Sequence, residues 1–134
     1  ISAAIVDLSP VGKHLPDSLN DRISTLKIPK FNEPAKLPEW GVIFSPYVCF
    51  ARPVDFLEEK SFLKLIDQYL SLLLSLLVRV SVNDIDSLDS MNRLNYQKRY
   101  CSNQKRNEKT RRILTKFFGS TWADEYINNI LFEC

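Results

Sequence analysis

The chain opens with weak alternation of apolar and small or polar positions over residues 1 to 7, and Ile5 and Val6 within it favour extended backbone, so the pattern predicts a strand. That strand stops on an acid, Asp7, and is closed by Ser9 and Pro10. Residues 8 to 38 carry Pro10, Pro16, Pro29, Pro34 and Pro38 and predict a long connection. Within it a short helix is expected at 17 to 27, where Asp17 and Ser18 offer caps and Leu19, Ile23 and Leu26 share a face. Val42, Ile43, Phe44, Tyr47, Val48, Cys49 and Phe50 then predict a second strand between Gly41 and Pro53, with Pro46 marking an edge or a bulge.

From Asp55 to about Val80 the period changes, with Phe62, Leu65, Ile66, Tyr69, Leu73 and Leu76 recurring three and four apart, which predicts an amphipathic helix. Glu58 and Glu59 suit its N-terminal end through the helix dipole. A polar, acidic stretch at 81 to 90 leads into a helix reaching about Arg106, and Asn107 is placed to cap another that ends at Gly119. A last helix is expected in "STWADEYINNILFE", capped by Ser120 or Thr121. Strands early and helices late predict an α+β arrangement, with helices packed on a sheet of which only two strands are legible. The first residue is Ile1, already inside a strand-like run, so the chain is expected to begin in mid-domain.

Composition narrows the possibilities mainly by exclusion. At 134 residues, 45% of them hydrophobic, the chain is one globular domain at most. Its three glycines, Gly12, Gly41 and Gly119, form no phosphate-cradling loop, which argues against a nucleotide, flavin or nicotinamide site. Cys49, Cys101 and Cys134 stand far apart without a CxxC pair, which suggests neither a disulfide framework nor a zinc site and fits a reducing, cytoplasmic setting. The run "YLSLLLSLLV" at 69 to 78 is about half the ~20 residues that span a bilayer, so no membrane span is expected. His14 lacks a second ligand at metal spacing and reads as a solvated loop residue.

Two features remain that could carry chemistry. Between 98 and 116 stand Lys98, Arg99, Lys105, Arg106, Lys109, Arg111, Arg112 and Lys116 against one acid, Glu108, in a chain whose net charge is only +2. This field suits a solvated helical face, the phosphates of a nucleic acid, or an acidic protein partner, and spacing alone leaves all three open. In the same stretch Tyr100, Gln104, Glu108 and Arg111 would share one face of a continuous helix, a geometry that a break at Asn107 interrupts. Asp7 is the other feature. It either makes a local turn with Ser9 and Pro10, or presents a carboxyl in apolar surroundings as a proton donor.

The stretches "SAAIVDLSP" at 2 to 10, "LPEWGVIFSPYVCFARP" at 37 to 53, "YCSNQKRNEKTRRIL" at 100 to 114 and "FGSTWADEYINNILFE" at 118 to 133 lie in order along the whole chain. Together they resemble the ferredoxin-dependent bilin reductases. The resemblance implies a single-domain three-layer α/β/α sandwich with a central antiparallel sheet, of which residues 1 to 134 would be the C-terminal part. It implies reduction of biliverdin IXα by four electrons to phycocyanobilin, with another phycobilin as the alternative product. The implied mechanism runs through bilin radicals and protein-supplied protons, with no bound cofactor and no metal. Reduced ferredoxin, an acidic protein, would be the external electron donor, and the complete enzyme would be a monomer without nucleic-acid partners.

Carried over by position, the resemblance makes Asp7 the central proton donor on the sheet. Glu108 falls where the family has an Asp, and Asn107 beside it would order water. Arg52 and Lys109 would hold the bilin propionates, and Tyr100, Gln104 and Ile113 would line the pocket. Glu108 is one methylene longer than the residue the family pattern expects. The family's upstream strands are not found in this chain, so the resemblance implies that it does not complete the reaction alone.

Overall fold

A computed structural model describes residues 3 to 133. The chain divides into two compact units, residues 1 to 83 and 84 to 134, each considered by itself below. In the first unit, strand β1 (Ala4–Val6) pairs antiparallel with β2 (Cys49–Ala51), in the register Ala4 with Ala51, Ile5 with Phe50 and Val6 with Cys49. Expected strand residues 1 and 2 lie outside the described residues. The other edge of β2 is met by 33 to 35: Ala35 N donates to Phe50 O at 2.9 Å and Arg52 N to Glu33 O at 2.9 Å. Pro34, with no N–H, sits between those two bonds, where none is needed.

Two helices cover one side of this small sheet. Helix α1 (Asp17–Ser24) buries Leu19 and Ile23, and α2 (Phe56–Leu77) buries Phe62, Leu65, Tyr69 and Leu72, a stripe three and four apart. Those six residues cluster with Leu15 and Cys49, and Ala4, Val6 and Leu8 pack against them. Alternation along the strands therefore places Val6 and Cys49 on the core side and leaves Ile5 and Phe50 on the other, where Ile5 is 45% exposed. Helix α2 starts where expected. Asp55 accepts from Glu58 N at 2.8 Å, while the Glu58 carboxylate accepts from Val54 N at 3.0 Å and from Asn32 N at 2.9 Å, so one side chain closes the helix start and fastens the preceding loop.

The second unit is helical. Helix α3 (Leu88–Gln104) begins at a Ser87 cap, and α4 (Glu108–Phe118) begins at Asn107, whose side-chain oxygen accepts from Thr110 N at 3.2 Å. Gly119 separates α4 from α5 (Ser120–Tyr126) with φ 87°, a backbone conformation that side chains with a Cβ rarely adopt. One π-turn, Ile127–Leu131, continues α5. The rings of Phe118 and Trp122 meet tilted at a centroid separation of 4.5 Å and those of Trp122 and Tyr126 stack at 4.8 Å, which braces the α4–α5 corner. Among the described residues no helix is long and apolar enough to cross a membrane.

The α+β assignment fits, with a smaller sheet than the apolar runs suggest. The expected strand over 42 to 50 is corrected to a 3-10 helix at Glu39–Ile43, a turn, and a strand of three residues. Pro38 starts the 3-10 helix by accepting from Gly41 N at 2.8 Å, and Trp40 and Phe44 bring their rings to 6.0 Å. Pro46 marks neither edge nor bulge: it follows Ser45 in a turn closed by Val48 N to Ser45 O at 3.3 Å, the corner position that suits its fixed φ. The expected caps at Asp17 or Ser18 and at Ser120 or Thr121 are not formed. Those helices begin after Pro16 and Gly119 with no side-chain cap bond, because proline presets helical φ and glycine makes the sharp entry.

Leu65 is fully buried at the centre of the first unit. Leu65→Ala is expected to lower its stability by about 2–5 kcal/mol in chemical denaturation, the range for a leucine truncated in a packed core. An exposed leucine of the same helix, Leu74, is expected to cost far less on the same substitution and serves as the control.

Candidate functional site

Asp7 stands one residue past β1, and its carboxyl is gripped from two directions. Ser9 Oγ donates to Oδ2 at 2.7 Å, Ser45 N donates to Oδ2 at 3.0 Å, and Ser45 Oγ donates to Oδ1 at 2.5 Å. The first contact is the local turn that the Asp-Leu-Ser-Pro run suggests. The other two span 38 residues and are of a different kind. An ionised carboxyl has about four lone-pair sites, so three donors leave one, on Oδ1. The turn exists, and the carboxyl sits among polar donors rather than in apolar surroundings, with one acceptor site left for a further partner.

The grip is anchored in the core. Ser45 is 3% exposed and also accepts from Tyr47 N at 3.1 Å, while Tyr47 O accepts from the Tyr69 hydroxyl at 2.5 Å. Tyr69 rises from the buried stripe of α2, so the turn that presents Ser45 is tied to the best-packed helix of the unit. Burial pushes the Tyr69 phenol up to about 12, with further contributions from Cys49, Asp7 and Tyr47 nearby. Burial likewise raises the Cys49 thiol. Neither Ser45 nor Tyr69 was legible as part of a site in the sequence; the Ser-Pro step inside an apolar run is the one signal that marks the turn.

Arg52 leaves the far end of β2. By the register it lies opposite residue 3, so four residues of strand, about 14 Å, separate its level from that of Asp7. It is exposed, and alternation from Ala51 puts it on the side of Phe50 and Ile5, away from the core helices. Within the first unit the acid and the base therefore stand at opposite ends of a short sheet, with no contact between them.

In the second unit Tyr100 and Gln104 lie on α3 and are joined by Gln104 Nε2 donating to Tyr100 Oη at 2.9 Å. Lys105 ends that helix, so Glu108 and Arg111 belong to α4, and the single continuous face through Tyr100, Gln104, Glu108 and Arg111 is corrected to two separate faces. Asn107 commits its side-chain oxygen to the α4 cap, which leaves its NH2 for any other role. Glu108 is 71% exposed and reaches Arg111 Nε only at 3.9 Å. Lys109 and Ile113 are both exposed and four apart, on one face of α4.

The basic stretch separates into two groups. Arg111 forms an ion pair with Asp124 that ties α4 to α5, and Lys105 Nζ donates to Asn128 O at 3.5 Å, so these two cations have structural work inside the unit. The Arg99 guanidinium lies over the Tyr96 ring at 5.6 Å. Lys109, Arg112 and Lys116 are exposed along α4, beside Ile113 and the 72% exposed Phe117. Such a face mixes charge with apolar surface and differs from an unbroken cationic stripe.

The described residues thus hold an acid at the end of the small sheet by neutral donors and, in the second unit taken by itself, expose basic side chains along α4. Residues 1 to 133 match the model of the ferredoxin-dependent bilin reductases, and the chain belongs to this family. Among its relatives are proteins named phycocyanobilin:ferredoxin oxidoreductase, from Prochlorococcus marinus (strain MIT 9313), 48% identical over 99% of this chain, from Synechococcus sp. (strain CC9605), 43% identical over 99%, and from Trichodesmium erythraeum (strain IMS101), 36% identical over 99%. The matches take in 50%, 54% and 54% of those relatives, so the chain spans about half the length of the curated proteins it resembles.

The Tyr69 environment gives a pH dependence with a definite sign. An unfolded chain ionises this phenol near its ordinary value of 10.0, whereas the fold keeps the proton until about 12, so the contribution to stability is complete below pH 10 and falls as pH rises through this window. The expected loss is on the order of 2 kcal/mol. Urea denaturation followed between pH 9 and 12 checks it. Tyr69→Phe is expected to be less stable than wild type at pH 8, by about 1 kcal/mol for the lost hydroxyl bond, yet to decline less steeply above pH 10.

Proposed function

We propose that the chain contributes the Asp7 carboxyl and the basic helical residues to a reductase that converts biliverdin IXα to phycocyanobilin, taking electrons one at a time from reduced ferredoxin. The observation that carries the proposal is the presentation of Asp7: one acid, fixed at the end of a strand by three neutral donors, with one lone-pair site left on Oδ1. The name shared by the relatives supports the choice of product. In this proposal β1 and β2 belong to the central antiparallel layer of a three-layer α/β/α sandwich, and the whole enzyme works as a monomer without a bound cofactor.

The chemistry asks the protein for protons more than for electrons. Four electrons arriving singly leave the pigment as a charged radical after each step, and a proton must meet each added electron for the product to be neutral. A carboxyl that does not move can deliver such a proton to a basic pyrrole nitrogen or ring carbonyl with little reorganisation. Asp7 takes that role in the proposal. Glu108 is the second acid, Asn107 orders water through its NH2, Arg52 and Lys109 bind propionates, and Tyr100, Gln104 and Ile113 contact the pigment. Arg111 and Lys105 are left out of the ligand set, because each is engaged within its own unit. Lys109, Arg112 and Lys116, with Phe117 beside them, suit an acidic protein such as ferredoxin better than a nucleic acid, whose backbone calls for cations without apolar neighbours.

An anaerobic absorption titration with biliverdin tests the proposal on the chain itself. A saturable, red-shifted band is expected for the wild type. Asp7→Asn is expected to bind within a few-fold of wild type but, with ferredoxin and a reducing system added, to lose turnover by about 10²-fold or more in whichever form of the enzyme turns over. Turnover by Asp7→Asn at the wild-type rate would sink the assignment of Asp7. A steep loss of RNA or DNA affinity between about 50 and 200 mM salt, with no response to biliverdin, would favour nucleic acid instead.

A further inference from the structure

Among the described residues Ser45 and Tyr69 bury hydroxyls, and both the N–H and the hydroxyl of Ser45 donate to Asp7. Its N–H goes to Oδ2 and its hydroxyl to Oδ1, so a single residue holds both oxygens of the carboxyl and fixes the plane in which it lies. Ser9 reaches only Oδ2. Without Ser45, therefore, Oδ1 would have no donor and the carboxyl could rotate about the bond to Ser9.

The hydroxyl has a second property that the backbone N–H lacks. A serine oxygen carries one proton and two lone pairs, and here one lone pair accepts from Tyr47 N at 3.1 Å. The hydroxyl proton stays on Oδ1 in either protonation state, and a proton taken up by Asp7 occupies the remaining Oδ1 site, the one open to a further partner. The oxygens need not move. Tyr69 keeps the turn in place throughout by holding Tyr47 O from the core.

We propose that Ser45 is a positioning residue for Asp7, its N–H and hydroxyl holding the carboxyl at one orientation in both protonation states while the hydroxyl oxygen passes the state of Asp7 on to Tyr47 N–H. The proposal rests on the reading of Asp7 as the proton donor to a bilin, and gives that reaction a residue that never touches the pigment. Release of the Asp7 proton from the open Oδ1 site to the pigment leaves an anion that the Ser45 N–H and hydroxyl already satisfy, and the next proton returns to the same site. Asp7→Asn identifies which acid-side change at residues 45 and 47 belongs to this carboxyl.

Amide NMR of the ligand-free chain, titrated towards acid pH, provides the first arm. In wild type the amides of residues 45 and 47 are expected to shift together in one step, and Asp7→Asn is expected to abolish it. Ser45→Ala should remove the step at Tyr47 while position 45 keeps its own, and Ser45→Thr should restore both. A Tyr47 step that survives Ser45→Ala overturns the link through the hydroxyl, and a position-45 amide indifferent to Asp7→Asn overturns the contact. Biliverdin provides the second arm. Ser45→Ala is expected to bind the pigment within about threefold of wild type but to displace the pH profile of its red band, with Ser45→Thr returning it, as a loss of positioning rather than of binding requires. A profile unchanged in Ser45→Ala but altered in Asp7→Asn overturns the positioning role. Absence of binding by wild type overturns a bilin pocket built by this chain alone, and the amide arm by itself then decides the Asp7–Ser45 couple.

Discussion

The hydrogen bond from the buried Tyr69 hydroxyl to Tyr47 O is the constraint from which the first unit takes its functional shape. A phenol that is 1% exposed must find an acceptor, and burial without one would cost more than the bond itself contributes. By taking a main-chain carbonyl in the turn after Ser45, Tyr69 joins two parts of the chain with different tasks. Helix α2 supplies packing; the turn supplies direction. The α2 stripe of Phe62, Leu65, Tyr69 and Leu72 would hold the sheet with any apolar residue at 69, but only one with a hydroxyl also fixes where Ser45 points.

The second unit is built on a different rule. Its helices bury little: among the described residues Cys101, Ala123 and Ile127 are the buried apolar side chains there. Directional contacts compensate. The Arg111–Asp124 pair links α4 to α5, the Phe118, Trp122 and Tyr126 rings pack along the corner, and Gly119 supplies the backbone conformation that lets the corner turn. A unit held this way leaves a large share of its side chains outward, and Lys109, Arg112, Ile113, Lys116 and Phe117 are all exposed.

Where one local force dominates, the sequence was legible. The period of α2 and its start at Asp55, the cap at Asn107, and the stop at Gly119 are each set by residues within a turn of one another, and each stands where the pattern puts it. The stretch from 39 to 51 was not legible, since Val42, Ile43 and Phe44 favour extended backbone on their own while Pro38, Gly41 and Pro46 cut the run into pieces too short to pair. Pairing partners decide strand length, and they lie far away in sequence. Asp7 could be singled out by its position, whereas Ser45 could not. A serine before a proline is common in turns, and only the contact across 38 residues distinguishes this one.

The choice of donors around Asp7 is itself an argument about its use. An arginine at this place would bind a carboxylate more strongly, through two parallel charged bonds, but its charge would favour the anion over the neutral acid. Two hydroxyls and a main-chain N–H hold the group with weaker bonds, and each hydroxyl can serve the neutral acid as well as its anion. Arg52, the nearest cation along the strands, leaves the sheet at its other end. In the proposed reaction, a carboxyl that gives up a proton and takes it back without moving gains from this arrangement a fixed position in both states.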